Sequence, residues 1–388
     1  MGMFLLCTFL MIILYPLGID LYLVAVPRIA QTLQGSEAQI HTAFSIYLLG
    51  MAATVLPGGM LADRHGRRPV VLGGALIFVV ASLVAAEAAG IAQFYLGRFW
   101  QGVGAGALYI MTFTVLRDVL SQARLAIALS LINGVICVIP VLAPVLGYLI
   151  LSHFEWRGIF VGMALVAAIS ALVNLRLLKE TRPARQPAGA SPLALLGTAP
   201  FMLRALLTSA SVTAILVYVS VSPLVLMTTF GLSPEQYTRL MMAMAGVSMS
   251  ASFLTPLLLR WLGKARVLAL SHLAYLLALL ALLCSSGPEG GLSWLLAGCA
   301  LVCIGFSCGF GVAMGEALDV CGDQVASASA LLCIMQIGLS GLFIWGMGHL
   351  GMPALWMLIL ALLLALLGYL VVKVLLPWRA VRRVRARG

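Results

Sequence analysis

The chain has 388 residues, of which 63% are hydrophobic and only 9% charged. Soluble domains carry roughly 45–50% apolar and about 25% charged residues, which excludes a water-soluble core, and the apolar runs are too evenly spread for one anchor on a globular domain. The net charge of +11 does not mark a nucleic-acid face, because Lys and Arg gather in alternate short loops and in the tail Arg379, Arg382, Arg383, Arg385 and Arg387, the bias of a polytopic membrane protein.

Twelve apolar runs follow in order, and each reaches the roughly 20 residues needed to cross a bilayer. The predicted spans are 3–27, 38–60, 69–87, 92–116, 125–150, 156–178, 203–227, 236–260, 266–284, 292–315, 324–347 and 353–376. The first is too long and lacks the basic start of a signal peptide, so it is read as a retained helix. If both termini are cytoplasmic, every Lys and Arg except Arg28, Arg98, Arg157 and Arg239 lies on the cytoplasmic side, which fixes that orientation and an even number of spans. The stretch 179–202, which contains KETRPARQPAGASP, is rich in Pro, Ala and Arg and reads as a flexible linker. It separates a six-helix bundle at 1–178 from a second at 203–376, and 377–388 is a basic cytoplasmic tail. The halves echo each other: Pro57 has a counterpart in Pro256, and Gly66-Arg67-Arg68-Pro69-Val70 in Gly263-Lys264-Ala265-Arg266-Val267. Repeats of this sort build alternating-access transporters.

The informative residues are those that interrupt the apolar runs. Asp20 sits in the outer part of helix 1 and Arg98 in the outer part of helix 4, at similar depth, and a charge there is costly unless paired or facing water. Together they suggest either a structural ion pair or a proton site whose affinity burial and a nearby cation set in opposite directions. Tyr22 lies off the Asp20 face of a regular helix. Between helices 2 and 3, Gly59-Met-Leu-Ala-Asp63-Arg64-His-Gly66-Arg67-Arg68-Pro69 combines a carboxylate at a helix end, a Gly turn and three guanidinium groups. On helix 4, Gln101, Gly102, Ala105 and Tyr109 follow Arg98 at helical spacing as a polar, small-residue stripe aimed at a cavity. No strand precedes these glycines and no Walker Lys follows, so a nucleotide loop is excluded. On helix 5, Pro140, Ala143, Pro144 and Gly147 mark either a motif or a merely kinked helix. With few intramembrane charges, a binding cavity should be apolar with aromatic and amide groups; Tyr22, Tyr47, Gln101, Tyr109, Asn133, Tyr218 and Gln336 are its candidates. The eight cysteines lie almost wholly in apolar segments and read as packing residues; no metal site, cofactor or catalytic residue is expected. The five histidines are scattered, so an enzyme is not the reading.

The Asp63–Arg68 loop resembles the signature loop of the major facilitator superfamily at essentially every defining position, and the helix-4 and helix-5 segments resemble two further motifs of that superfamily. YPLGIDLYLVAVPRIA at 15–30, CVIPVLAPVLGYLI at 137–150 and LKETRP at 178–183 are similar to its twelve-helix drug:H⁺ antiporter branch, within the bicyclomycin and chloramphenicol resistance group. Ala143 and Tyr148 stand where the helix-5 motif commonly has Gly. The resemblance implies an all-α fold of two pseudo-symmetric six-helix bundles in a bacterial inner membrane, working as a monomer by alternating access. Its cargo would be small neutral or lipophilic drugs such as chloramphenicol, exchanged for protons; a sugar or other metabolite is the alternative cargo. It further implies that Asp20 binds the proton with Arg98 tuning it. Asp63 would meet the positive N-terminus of helix 11 near Gly322-Asp323, and Arg67 would pair with Asp118.

Overall fold

The computed structural model describes residues 2–182, 192–285, 291–321 and 325–385. The fold is all-α. The first half carries α1 (Gly2–Thr32), α2 (Glu37–His65), α3 (Arg67–Ala86), α4 (Ile91–Val119), α5 (Gln122–His153) and α6 (Trp156–Leu177). The second carries α7 (Ala199–Thr229), α8 (Pro234–Leu262), α9 (Lys264–Ser285), α10 (Leu292–Asp319), α11 (Val325–His349) and α12 (Ala354–Arg385). Among the described residues, eleven helices are long and apolar enough to cross a membrane, and α5 adds the shorter apolar stretch Val138–His153. Large apolar side chains such as Leu76, Leu165, Phe253 and Trp261 are exposed on these helices, which suits a surface solvated by lipid.

Two compact units partition the chain. One comprises Met1–Pro187 with Ser222–Ala243 and Gly341–Met352; the other comprises Ala188–Val221, Met244–Ser340 and Pro353–Gly388. In the first unit α4 is the hub, packed against α2, α3 and α1. Glycine makes the α2–α4 contact possible. A Cβ on Gly102 would overlap the Tyr47 carbonyl, one on Gly50 would overlap the Phe99 carbonyl, and one on Gly106 would come within 2.6 Å of the Met51 carbonyl. Where lipid tails are as apolar as the helix surfaces, such close approach is a main source of association. Gly102→Val should therefore lower stability by about 2–3 kcal/mol, read as a depressed unfolding midpoint in detergent; an unchanged midpoint would contradict this packing. In the second unit α9 packs along α10, and His272 of α9 stacks on Tyr369 of α12 with ring centroids 4.2 Å apart.

Local sequence explains where the helices start and break. Ser36 and Gln39 form a reciprocal capping box at the start of α2, with Ser36 N donating to Gln39 Oε1 at 2.7 Å and Gln39 N to Ser36 Oγ at 3.3 Å. Ser233 and Gln236 repeat it at α8, with bonds of 2.9 and 3.2 Å. Helix 1, expected to be regular, is instead broken. Its segment Leu14–Asp20 stops at Asp20, a 3₁₀ turn covers Leu23–Ala25, and helix resumes at Val26–Thr32. Pro27 has no N–H to give the Leu23 carbonyl, and Val26 N takes that acceptor instead, which tightens the turn to 3₁₀. Past Pro223, α7 likewise widens into a π turn over Leu224–Thr229. The two echoing loops share a conformation: Gly66 and Gly263 have φ of 101° and 78°, and each donates to the carbonyl four residues back at 3.0 Å. Only glycine adopts such φ values without strain.

Candidate functional site

The first unit holds two polar clusters, one within the bundle and one at the α2–α3 turn. In the inner cluster Asp20 is buried at the last residue of its helical segment, where the chain breaks. Arg98 of α4 is wholly buried. The two do not form the ion pair that their depth suggested. Among the described residues no ion pair within 4.0 Å includes either one. Arg98 instead lies against two tyrosines, with its guanidinium carbon 4.4 Å from the Tyr22 ring centroid and 4.5 Å from that of Tyr47. Desolvated cation–π contacts of this kind are worth roughly 2 kcal/mol each. Arg98 Nη1 also donates to Gln101 Oε1. Gln101 Nε2 in turn donates to Ser82 Oγ at 2.8 Å and lies 3.3 Å from Met163 Sδ, tying α4 to α3 and α6. Tyr47 is held by its hydroxyl, which donates to the Tyr15 carbonyl at 3.0 Å, and Gly18 leaves room for its ring.

The break in helix 1 explains why Tyr22 belongs here. On a regular helix it falls off the Asp20 face; beyond the break it meets Arg98 and also Phe160, at 5.9 Å between ring centroids. Gly147 of α5 packs on this same broken stretch, since a Cβ there would overlap the Leu21 carbonyl. Pro140 and Pro144 lie inside α5, Ala143 is buried, and Thr238 Oγ1 lies 3.5 Å from the Pro144 carbonyl. Of the other cavity candidates, Tyr109 stands edge-on to Tyr15 with centroids 5.3 Å apart, and Gly102 and Ala105 are buried along α4. Tyr218 and Gln336 belong to the second unit, where Tyr218 meets Cys303 and Gln336 Nε2 lies 3.5 Å from Met314 Sδ. The Asn133 side chain lies outside the described residues.

The second cluster is centred on Arg67, buried at the first position of α3. Its Nε donates to Asp118 Oδ2 at 2.8 Å, and its Nη1 to Asp63 Oδ1 at 2.8 Å and to the Ala62 carbonyl at 2.9 Å. Asp118 is nearly buried while Asp63 is half exposed. Arg68 Nη2 donates to the Leu175 carbonyl at 2.6 Å, and Arg64 is exposed with its carbonyl bonded by Arg182 Nη1 at 3.0 Å. Gly59 is open, with nothing near its Cα where a Cβ would go. Gly322 and Asp323, the expected neighbours of Asp63, lie outside the described residues.

Sequence reading gave no role to Glu180, which proves central to this cluster. Its Oε1 accepts from the backbone N–H of Arg67 at 2.8 Å, Thr181 at 3.0 Å and Arg182 at 3.0 Å, and its Oε2 from Arg68 N at 3.2 Å. The carboxylate thus caps the start of α3, whose first N–H groups have no acceptor of their own. A Cβ on Gly66 would overlap Glu180 Oε2, a second reason for glycine there. The one acid in the Pro- and Arg-rich stretch after α6 was the available signal. Burial pushes the Glu180 carboxyl up, but the N–H donors of Arg67, Arg182, Arg68 and Thr181 outweigh it and hold it below the usual carboxylate range. A depressed carboxyl stabilises the fold above the ordinary Glu range, and that contribution is lost as the pH falls below about 4. Glu180→Gln should cost about 1 kcal/mol or less at neutral pH, because the group is partly solvated. It should also flatten the acid limb of stability against pH, read by thermal unfolding at stepped pH; an acid limb identical to wild type would rule out the cap.

Comparison with known proteins gives a consistent picture. Residues 8–338 match the family described as Major Facilitator Superfamily. Multidrug resistance protein MdtL of Klebsiella pneumoniae (strain 342) is 46% identical over 364 residues, covering 92% of this chain and 92% of that protein. MdtL of Escherichia coli (strain K12 / DH10B) is 43% identical over 369 residues, covering 94% and 93%. Among solved structures, a bacterial homologue of the human lysosomal transporter Spinster, in an inward-facing and unoccupied conformation, superposes with a TM-score of 0.74 at 17% identity, covering 95% of each chain. A D-xylose–proton symporter superposes with a TM-score of 0.75 at 14% identity, covering 96% and 97%; at such identities these two likenesses speak to the fold alone.

Proposed function

The chain belongs to the Major Facilitator Superfamily, and on that premise we propose that it is a proton-coupled exporter of small, mostly neutral or lipophilic drugs, chloramphenicol among them. It is a transporter and not an enzyme. The observation that carries the cargo class is the identity of 43–46% to multidrug resistance proteins along nearly the whole chain. What supports the proton is chemical. Asp20 is a carboxyl buried in the bundle with no cation in ion-pair range among the described residues, and a charge left there unpaired is costly. A proton removes that cost, and the Arg98 guanidinium in the same cluster is able to compensate the carboxylate once the proton leaves. The concentration of Lys and Arg in alternate loops supports an inner-membrane protein with both termini in the cytoplasm, and it is taken to act as a monomer. The Arg67–Asp118–Asp63 cluster is the proposed conformational gate, with Gly59, Arg64, Gly66 and Arg68 shaping its turn. Pro140, Ala143, Pro144 and Gly147 set the shape of α5 against the broken stretch of α1. Tyr109, Asn133, Tyr218 and Gln336 are proposed to contact the drug.

The test is a resistance panel in a host stripped of its own efflux pumps. Expression of this chain should raise the inhibitory concentration of chloramphenicol, and a protonophore should abolish the effect. A strain no better protected than the empty-vector control, yet exporting a labelled sugar, would replace the drug reading with a metabolite exporter.

A further inference from the structure

Arg98 has an unusual environment for a cation inside a membrane bundle. Among the described residues it has no carboxylate partner within ion-pair range, and its side-chain hydrogen bonds go to neutral groups, Gln101 and Tyr22. What faces it is aromatic: Tyr22 and Tyr47, themselves almost wholly buried. Several features of the chain serve this arrangement. The missing side chains of Gly50 and Gly102 bring α2 against α4, Gly18 makes room for the Tyr47 ring, and the Tyr15 carbonyl fixes its hydroxyl. The helix break after Asp20 places Tyr22 beside the guanidinium. Residues so buried and so engaged are poorly placed to contact a drug, although their residue types invite that reading.

We propose that Tyr22 and Tyr47 are positioning residues of the proton step, an aromatic clasp that keeps the Arg98 guanidinium out of ion-pair range of Asp20 until the proton is to leave. When Arg98 slips from the rings toward Asp20, the carboxyl gives its proton to water and the resulting carboxylate is compensated by the guanidinium. When Arg98 returns to the rings, the unpaired carboxylate takes a proton up again. This inference rests on the reading of Asp20 as the proton site and adds the device that times it. The titratable and charged groups around Asp20 are Tyr22 on its own helix, Tyr47 on α2 and Tyr237 on α8, with Arg98 of α4 lying against the Tyr22 and Tyr47 rings.

The experiment compares Tyr47→Phe with Tyr47→Leu, and Tyr22→Phe with Tyr22→Leu, in proteoliposomes of the full chain. It measures the pH midpoint of chloramphenicol transport and the chloramphenicol Kd. Tyr47→Phe keeps the ring facing Arg98 and should keep the wild-type midpoint, while Tyr22→Phe keeps the ring but loses its hydrogen bond to Arg98 and should move the midpoint by less than Tyr22→Leu. The Leu variants free Arg98 to pair with Asp20, which favours the carboxylate and should move the midpoint to lower pH by about one unit or more, with Kd unchanged. Should Tyr47→Leu fail to assemble, Tyr22→Leu carries the same expectation. A midpoint that stays put in Leu variants, or moves equally in Phe and Leu variants, overturns the clasp; so does a change confined to Kd, which would make the rings drug ligands. Asp20→Asn run in parallel separates the two levels. If it still releases protons, the proton site itself is wrong; if it is silent while the Leu variants behave as wild type, the clasp alone is wrong.

Discussion

Asp20→Asn is expected to abolish proton release on drug binding and to collapse active export, while leaving chloramphenicol binding in place. The size of the effect follows from the driving force. One proton crossing 100 mV supplies about 2.3 kcal/mol, and each unit of pH difference adds about 1.4 kcal/mol. A coupled exporter with both can sustain a drug gradient of a few hundred-fold. Asn keeps the shape of the side chain, removes the titration, and reduces that gradient to none, because a neutral amide has no proton to exchange. Asp20→Glu restores the titration with a longer arm and should recover part of the gradient. The measurement is pH-indicator absorbance of purified protein on drug addition, alongside uptake into inverted vesicles. Wild-type release and export from the Asn variant would remove Asp20 from the mechanism.

The second large effect is expected at Arg67. Arg67→Gln leaves Asp118 nearly buried and unpaired, a situation that typically costs about 3–5 kcal/mol. Of the two carboxylates, Asp118 matters more: Asp63 is half exposed, and exposed ion pairs are worth about 0–1 kcal/mol. Arg67→Gln should therefore lower the unfolding midpoint sharply, Asp118→Asn nearly as much, and Asp63→Asn little. The Arg67→Gln/Asp118→Asn double variant should be less destabilised than the sum of its parts, because each single change strands the other's partner. Strict additivity would mean that the 2.8 Å bond between them contributes nothing in membrane-like solution.

Much of this was legible in the chain. Hydrophobic run length gave the helices because a bilayer imposes one length on all of them, and Gly66 and Gly263 marked matching turns because positive φ excludes most side chains. What the sequence hid were departures from regular periodicity. A helical-face argument puts Tyr22 away from Asp20; it fails because the Pro27 ring removes one donor and the chain tightens around residues 23–25. Asp20 and Arg98 look like an ion pair from their depths alone, and only tertiary packing reveals that two tyrosine rings occupy the guanidinium instead. Glu180 stood out only as a lone acid among prolines and arginines: its partners at Arg67 and Arg68 are 113 and 112 residues away, and no local rule links a loop carboxylate to the start of a distant helix.

That separation also bears on how the protein is made. Chains emerge from the ribosome N-terminus first, and early segments settle before late ones exist. When α3 enters the membrane, the acceptor for the leading amides of Arg67 and Arg68 has not yet been translated. Those two amides gain this acceptor only after α4, α5 and α6 have been translated and Glu180 follows them. Its arrival closes the end of α3, and the adjoining Arg182 fastens onto the Arg64 carbonyl. The start of α3 is thus closed by the first residues of the stretch that follows α6.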